Sequence, residues 1–246
     1  MTQHGGLAAG NRLLAGLPER NQRRLLAGCD HVDLRFADVL YRSGERIDYV
    51  YFPLGCLISL ITVLDVNSKI EFGIVGDEGM LGLPILLGVD IARQDALVQG
   101  AGTALRMRAS ALPGYCGRGS LLERRLNRYA YVVMSQLAQS AACLRFHLIE
   151  ARLSRWLLMT RDRAHSEQFR MTHEFMAYML GVRRVAVSLA ANGLQRRGLI
   201  KYSRGILDIL DPAALEISSC SCYRRSKDLY QKVMQTPARR ARIRQP

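Results

Sequence analysis

The sequence predicts an α+β protein in three parts: an N-terminal antiparallel β-roll, one long helix, and a C-terminal unit of two short helices followed by a β-hairpin. Three observations carry this. Short strand-like runs separated by turn residues crowd residues 33–107. An apolar stripe with a helical step runs on from Leu121. Residues 172–199, written THEFMAYMLGVRRVAVSLAANGLQRRGL, hold two amphipathic helices on either side of a glycine. The boundaries that follow are 1–120, 121–150 and 151–246.

In chain order, Asn11 to Ala27 reads as one or two short helices with Pro18 marking a restart. Strand-like runs follow at 33–36, 39–41, 49–52, 57–61, 70–74 and 104–107, with turn chemistry at 43–45, 53–55, 66–68 and 76–79. Such spacing suggests a roll or barrel. Within it, the segment Gly79 to Pro84 fits either a phosphate-cradling loop or a tight corner. Leu122, Leu126, Tyr129, Val133, Leu137, Ser140/Ala141 and Leu144 then repeat at three- and four-residue steps, predicting a helix to Glu150 or beyond. That stripe suits pairing with a second copy through residues 122–144; packing on its own roll is the alternative. Residues 161–170 read as a polar loop, 213–216 as the start of another short helix, and the tail from Thr236, with Arg239, Arg240, Arg242 and Arg244, as basic and mobile.

Thr172 is placed to cap a helix carrying Glu174 in its first turn, and Gly181 to stop it. Val187, Ala190, Ala191 and Leu194 make the apolar stripe of a second helix, leaving Arg183, Arg184 and Ser188 off it; Gly198 closes that helix. An ordinary helical hairpin shows the same spacing. Two apolar-rich strand candidates at 199–202 and 206–209 flank the turn Ser203-Arg204-Gly205 with a basic tip. The combination is a winged helix-turn-helix.

The formal charge of +14 is unevenly spread. Residues 1–150 carry 16 Lys and Arg against 14 Asp and Glu, whereas 151–246 carry 19 against 7, so the basic excess belongs to the part with the helix-turn-helix. Clustered cations displace the counterions condensed on phosphates, which points to a polyanion; a membrane surface competes with nucleic acid for that role. No run reaches the ~18 apolar residues of a spanning helix. Met-Thr-Gln-His-Gly-Gly lacks the features of a secretory leader, so the chain reads as cytoplasmic, with no membrane partner.

Cys29, Cys56, Cys116, Cys143, Cys220 and Cys222 include no C-x-x-C pair and read as reduced thiols. Cys220-Ser-Cys222 is at most half of a metal or redox site, with no histidine or second cysteine pair near it in sequence. His4, His31, His147, His165 and His173 are dispersed without metal-ligand spacing, and no catalytic constellation is legible. Neither a metal site, nor a cofactor, nor an enzyme is expected.

Over nearly the whole chain the residues resemble the Crp/Fnr superfamily of bacterial transcription regulators. The carrying features are the roll with Gly44-Glu45, Tyr51-Phe52 and Gly55, the long helix, and the run from Thr172 through Gly181-Val182-Arg183-Arg184 to Gly198-Leu199-Ile200. The resemblance implies a cyclic-nucleotide-binding-like sensor roll, a dimerisation helix and a homodimer reading a palindrome in double-stranded DNA. It places Arg184 where family members carry a base-contacting arginine, able to donate two hydrogen bonds to guanine. Val185 and Leu189 occupy positions that are usually polar and would instead meet thymine methyls. Arg183 would anchor, Ser188 would contact base or phosphate, and Thr172, His173, Lys201 and Arg204 would hold the DNA backbone. For an effector, the nearest matches to the family pocket are Gly76, Glu78 and Gly79 with Arg93 and Gln94; Asp95 at the next pocket position would repel a cyclic phosphate. The cysteine pattern fits neither an N-terminal iron-sulfur cluster, Cys29 standing alone there, nor a haem ligand set. The effector is therefore an unknown small molecule, and activation would require a further surface touching RNA polymerase. A cyclic-nucleotide-binding signalling module without a DNA-binding role is the competing class; the +12 charge of residues 151–246 argues against it.

Overall fold

The structure, a computed structural model, describes residues 10–65 and 68–235. The tip of the expected 66–68 turn, His4 and the arginine-rich stretch from Thr236 lie outside those residues.

Helix α1 (Arg12–Ala15) begins at Asn11, whose side chain accepts from Leu14 N at 3.1 Å. Its amide nitrogen donates to the carbonyls of Pro53 and Gly79 at 2.8 and 3.0 Å, so this fully buried residue ties the N-terminal helix to two corners of the roll. Helix α2 (Glu19–Leu26) restarts after Pro18 as expected. The roll follows as β1 (Asp30–Leu34), β2 (Val39–Tyr41), β3 (Tyr49–Pro53), β4 (Leu57–Val63), β5 (Lys69–Val75), β6 (Asp95–Gly100) and β7 (Gly102–Arg108). It is built from two antiparallel sheets, ordered β1-β7-β3 and β2-β6-β4-β5. Strand β6 has no counterpart among the expected strands: it carries only two strongly apolar side chains, yet it is the inner neighbour of both β2 and β4. Gly79 is a tight corner packed on the long helix, since a Cβ there would lie 1.9 Å from the Tyr129 hydroxyl.

After the short α3 (Leu112–Tyr115), Ser120 caps α4 (Leu121–Phe146) by accepting from Glu123 N at 3.1 Å. The helix does not continue to Glu150. His147 and Leu148 are extended (φ −111°, ψ 141° and φ −65°, ψ 155°), and the chain restarts as α5 (Ile149–Ala164). No glycine or proline marks this break, so the apolar period runs through it unseen. The expected seam is also divided. Leu122, Leu126 and Tyr129 are buried in the chain's own core, joined by Val132, which corrects their assignment to a partner copy. Farther along, Tyr131, Met134, Leu144 and Phe146 are exposed.

The remainder is β8 (Gln168–Arg170), α6 (His173–Leu180), α7 (Arg184–Arg196), β9 (Ile200–Ser203), β10 (Ile206–Ile209), α8 (Pro212–Ser218) and α9 (Cys222–Gln235). Residues 161–170 are thus the end of α5 and a three-residue strand rather than one loop. Helix α9 returns along α4, with Met234 in the core of the roll and the Tyr230 hydroxyl donating to Glu78 O at 2.8 Å.

Two cores result. One fills the roll and takes in α1 and the first half of α4. The other joins α5, α6, α7 and the small sheet β8-β10-β9 to Leu57, Ile61 and Ile74 of β4 and β5. Strands β4 and β5 therefore supply side chains to both cores, and the C-terminal unit sits directly on the roll. At this seam Trp156 Nε1 donates to Glu71 Oε1 at 2.7 Å, while Glu71 Oε2 is buried without a hydrogen-bond partner. Burial pushes the Glu71 carboxyl up to about 7 from its ordinary 4.5, against the pull of the Ser59 and Trp156 hydrogen bonds. The folded state thus keeps a proton that the unfolded chain has released, so this stabilising contribution is complete below pH 4.5 and is lost as pH rises through about 7. Glu71→Gln, which keeps the acceptor for Trp156 and cannot ionise, is expected to be close to neutral at pH 4.5 and to stabilise the protein by about 1–3 kcal/mol at pH 8 in urea denaturation.

Candidate nucleic-acid interface

Helix α6 is short because both its ends are fixed by local chemistry. Thr172 Oγ1 accepts from Phe175 N at 3.0 Å, with Glu174 in the first turn. At the other end Gly181 adopts φ +61°, and Val182 N donates to Ala177 O at 3.0 Å. The turn has a second constraint, for a Cβ on Gly181 would lie 2.7 Å from Ile70 Cδ1 of β5. Only Val182 and Arg183 separate Gly181 from the start of α7.

On α7, Val187, Ala190, Ala191 and Leu194 are buried against α5 and α6 as the stripe requires. Complete burial of Val187 and Leu194 contributes about 1.5–3 kcal/mol each, and the two alanines allow close approach of the neighbouring helices. The opposite face is left in solvent. Arg183 and Arg184 are exposed at the helix entry, and Val185 and Leu189 are each 68% exposed. Two large aliphatic side chains without cover on one helix face are unusual on a surface that is otherwise strongly basic. Asn192 and Arg196, which the residue pattern did not single out, continue this face at helical steps of three and four and are exposed.

Behind the face lies a short polar chain. His173 Nδ1 and Ser188 Oγ are 2.9 Å apart, and the His173 ring stacks on Tyr202 with centroids 4.3 Å apart and planes at 19°. Burial, and then the nearby Arg184 charge, hold the His173 imidazole below its ordinary pKa, so the ring is neutral near pH 7. Tyr202 N in turn donates to Gln195 Oε1 at 2.6 Å. The entry of α6, the middle of α7 and the hairpin are thereby locked together, and the Ser188 hydroxyl is engaged with His173.

The hairpin β9–β10 closes through Arg204 and Gly205, both at positive φ (51° and 79°), a type I′ geometry whose twist suits two paired strands. Lys201 and Arg204 are exposed on it, as is Arg170 on the adjoining β8, paired with Ile206. Exposed arginine and lysine side chains thus stand on α7, the hairpin and β8, which share one core.

The expected effector residues are not gathered in the same way. Glu78 is buried and its Oε1 accepts from Arg163 Nε of α5 at 2.7 Å, while Oε2 accepts from Gly76 N at 3.1 Å. Asp77 pairs with Arg12 at 2.9 Å and lies 3.0 Å from His165 Nε2. A Cβ on Gly76 would lie 2.8 Å from Arg163 Cβ. The Gly76–Gly79 corner is therefore a joint between the roll and α5. Arg93 is exposed and lies elsewhere, beside the 42–45 turn, where Gly44 N donates to Ala92 O, Ala92 N to Glu45 O, and Ser43 N to the Asp95 carboxylate.

This α+β architecture, with an outward basic second helix and an adjoining hairpin, defines a winged helix-turn-helix protein that binds DNA. Residues 151–217 match the Crp-like helix-turn-helix domain. That match spans the helix-turn-helix unit, from α5 to α8. Solved structures share its fold. The c-di-GMP responsive global regulator CLP of Xanthomonas campestris superposes with a TM-score of 0.64 at 16% identity, over 78% of this chain and 99% of that one. A CRP-family transcriptional regulator of Thermus thermophilus gives 0.63 at 22% identity, over 76% and 96%. FixK2 of Bradyrhizobium japonicum gives 0.61 at 16% identity, over 78% and 98%. No curated protein sequence matches the chain. Among the described residues, no helix is long and apolar enough to cross a membrane.

Gly181→Ala places a side chain at positive φ and against Ile70 at once. It is expected to lower the stability measured by urea denaturation by more than about 1 kcal/mol.

Proposed function

We propose that the protein acts as a homodimer on a palindromic operator, each copy laying α7 in a major groove, with half-sites about one helical turn apart. The observation that carries this reading is the exposed row Arg183, Arg184, Val185, Leu189 and Asn192 on a helix whose other face is fully buried. Arg184 would donate to guanine O6 and N7, Val185 and Leu189 would meet thymine methyls, and Asn192 would suit an adenine edge. Arg183, Lys201, Arg204 and Thr172 would hold phosphates. His173 and Ser188, being bonded to each other, would position α7 and the hairpin, with the Ser188 hydroxyl reaching DNA only by exchanging that bond.

Pairing is supported by α4 from Tyr131 onward, where Tyr131, Met134 and Phe146 are 56%, 66% and 76% exposed. A second copy covering them would bring two α7 helices under one two-fold axis. The roll would then act as a sensor without a cyclic-phosphate site. Glu78 is engaged with Arg163, and Arg93 stands apart from it, beside the Asp95 carboxylate. The reading places the protein in the cytoplasm, where it would meet DNA and, if it activates, RNA polymerase.

Selection of bound duplexes from a random pool is expected to enrich a palindrome; recovery of unenriched sequence would contradict the proposal. On the selected site, Arg184→Ala is expected to weaken binding by about 1–3 kcal/mol and to flatten preference at one position. Lys201→Ala should weaken binding evenly across sequences and lower the salt slope by about 1, both read by fluorescence anisotropy.

A further inference from the structure

Away from the DNA-binding face, the fold gathers four soft ligands that are scattered in sequence. Cys143 lies in the last turn of α4, and His147 caps the same helix four residues on, so both project to one side. Cys220 and Cys222 bracket the joint between α8 and α9, Cys222 being the first residue of a 14-residue helix. All three sulfurs belong to buried residues, and the four candidate ligand atoms lie within 4.8 Å of one another.

We propose that Cys143, His147, Cys220 and Cys222 form a Cys₃His site for one structural zinc ion. Two of the six ligand–ligand distances have the length of tetrahedral edges, and the others are within 4.8 Å. Zn–S and Zn–N bonds of about 2.3 and 2.1 Å imply S···S and S···N edges of about 3.8 and 3.6 Å. The Cys143 and Cys220 sulfurs are 3.5 Å apart, and Cys222 Sγ is 3.6 Å from His147 Nδ1. Four ligands this close surround a single ion; a cluster of several irons holds its thiolates farther apart. The set is closed and rich in sulfur, with no carboxylate among its ligands, which favours zinc over magnesium or calcium.

The surroundings suit bound thiolates. Gln139 Nε2 donates to Cys222 Sγ at 3.0 Å, orienting a ligand from outside the site. Three thiolates on a divalent ion leave one negative charge, and the positive field of Arg155 acts on Cys143. Arg155 holds Ser140 Oγ at 3.1 Å through Nη2, while its Nε is buried with no hydrogen-bond partner. These cysteines pack as a cluster of their own, apart from both apolar cores, with Ala151 as their partly buried apolar neighbour. As a cross-link, the ion would fasten the end of α4 to α8 and α9 across the extended His147–Leu148 link, fixing how the DNA-binding unit sits on the long helix.

The test uses the full chain purified under reducing conditions, with zinc measured by plasma mass spectrometry and Co(II) titrated into chelator-stripped protein. One zinc per chain is expected, together with the visible d–d bands of tetrahedral cobalt and thiolate-to-cobalt charge transfer. Cys222→Ser and Cys143→Ser should abolish stoichiometric binding while Cys56→Ser keeps it. Gln139→Ala, which leaves every ligand in place, should weaken zinc binding by about tenfold or more. Three results would overturn the proposal: no zinc or tetrahedral cobalt bound by the wild-type chain, zinc retained in Cys222→Ser, or an iron-sulfur chromophore in place of zinc. A Cys143–Cys220 disulfide that persists under reductant, with no metal bound, would overturn it in favour of a redox pair. None of these readouts uses DNA, so they stand apart from the operator assay.

Discussion

The DNA-binding surface depends on a one-sided burial. Helix α7 can leave Val185 and Leu189 in water only because Val187, Ala190, Ala191 and Leu194 fix its orientation from behind. An α-helix advances about 100° per residue, so a stripe at i, i+3, i+4 and i+7 determines which residues face out as firmly as which face in. The two small residues in the middle of the stripe set the depth of packing, and the αL glycine before the helix sets its angle to α6. Changing the inner face would rotate the outer one.

That unit is anchored to the roll by polar contacts as well as apolar ones. Arg163 of α5 reaches Glu78 in the corner of the roll, and Trp156, about two helical turns earlier, reaches Glu71 on β5. Both pairs are poorly solvated. For the Arg163–Glu78 ion pair, removing one partner commonly costs about 3–5 kcal/mol, because a charge is left without compensation. Ile70 against Gly181 and Phe175 against Phe36, with ring centroids 6.1 Å apart, add apolar contact at the same seam. A rearrangement in β5 or at the Gly76–Gly79 corner would therefore be felt by α5 and α6 directly, which is the mechanical link that the proposed reading of the roll as a sensor requires.

The parts legible in the sequence are those set by neighbours along the chain. The Thr172 cap, the Gly181 stop, the α7 stripe and the Arg204-Gly205 hairpin are each local signals, and each is where it was expected. What escaped depends on distant partners. Strand β6 is weakly apolar and exists because β2 and β4 flank it; β8 is three residues long and two of them are polar. The break at His147–Leu148 carries no helix-breaking residue, and the buried start of α4 takes its cover from α1 and α9. Glu78 resembles an effector ligand in sequence because nothing nearby reveals Arg163, 85 residues on. Cys143 and Cys220 are separated by 77 residues, so their proximity is a property of how α9 returns along α4.

The most direct measurement of the central claim is dimethyl sulfate footprinting of a bound duplex, since the reagent methylates guanine N7 in the major groove. If α7 reads that groove with Arg184, guanines should be protected in two patches on one side of the duplex, one helical turn apart, and a protected guanine should regain reactivity with Arg184→Ala. Protection confined to the minor groove, or spread evenly along the duplex and unaffected by Arg184→Ala, would contradict it.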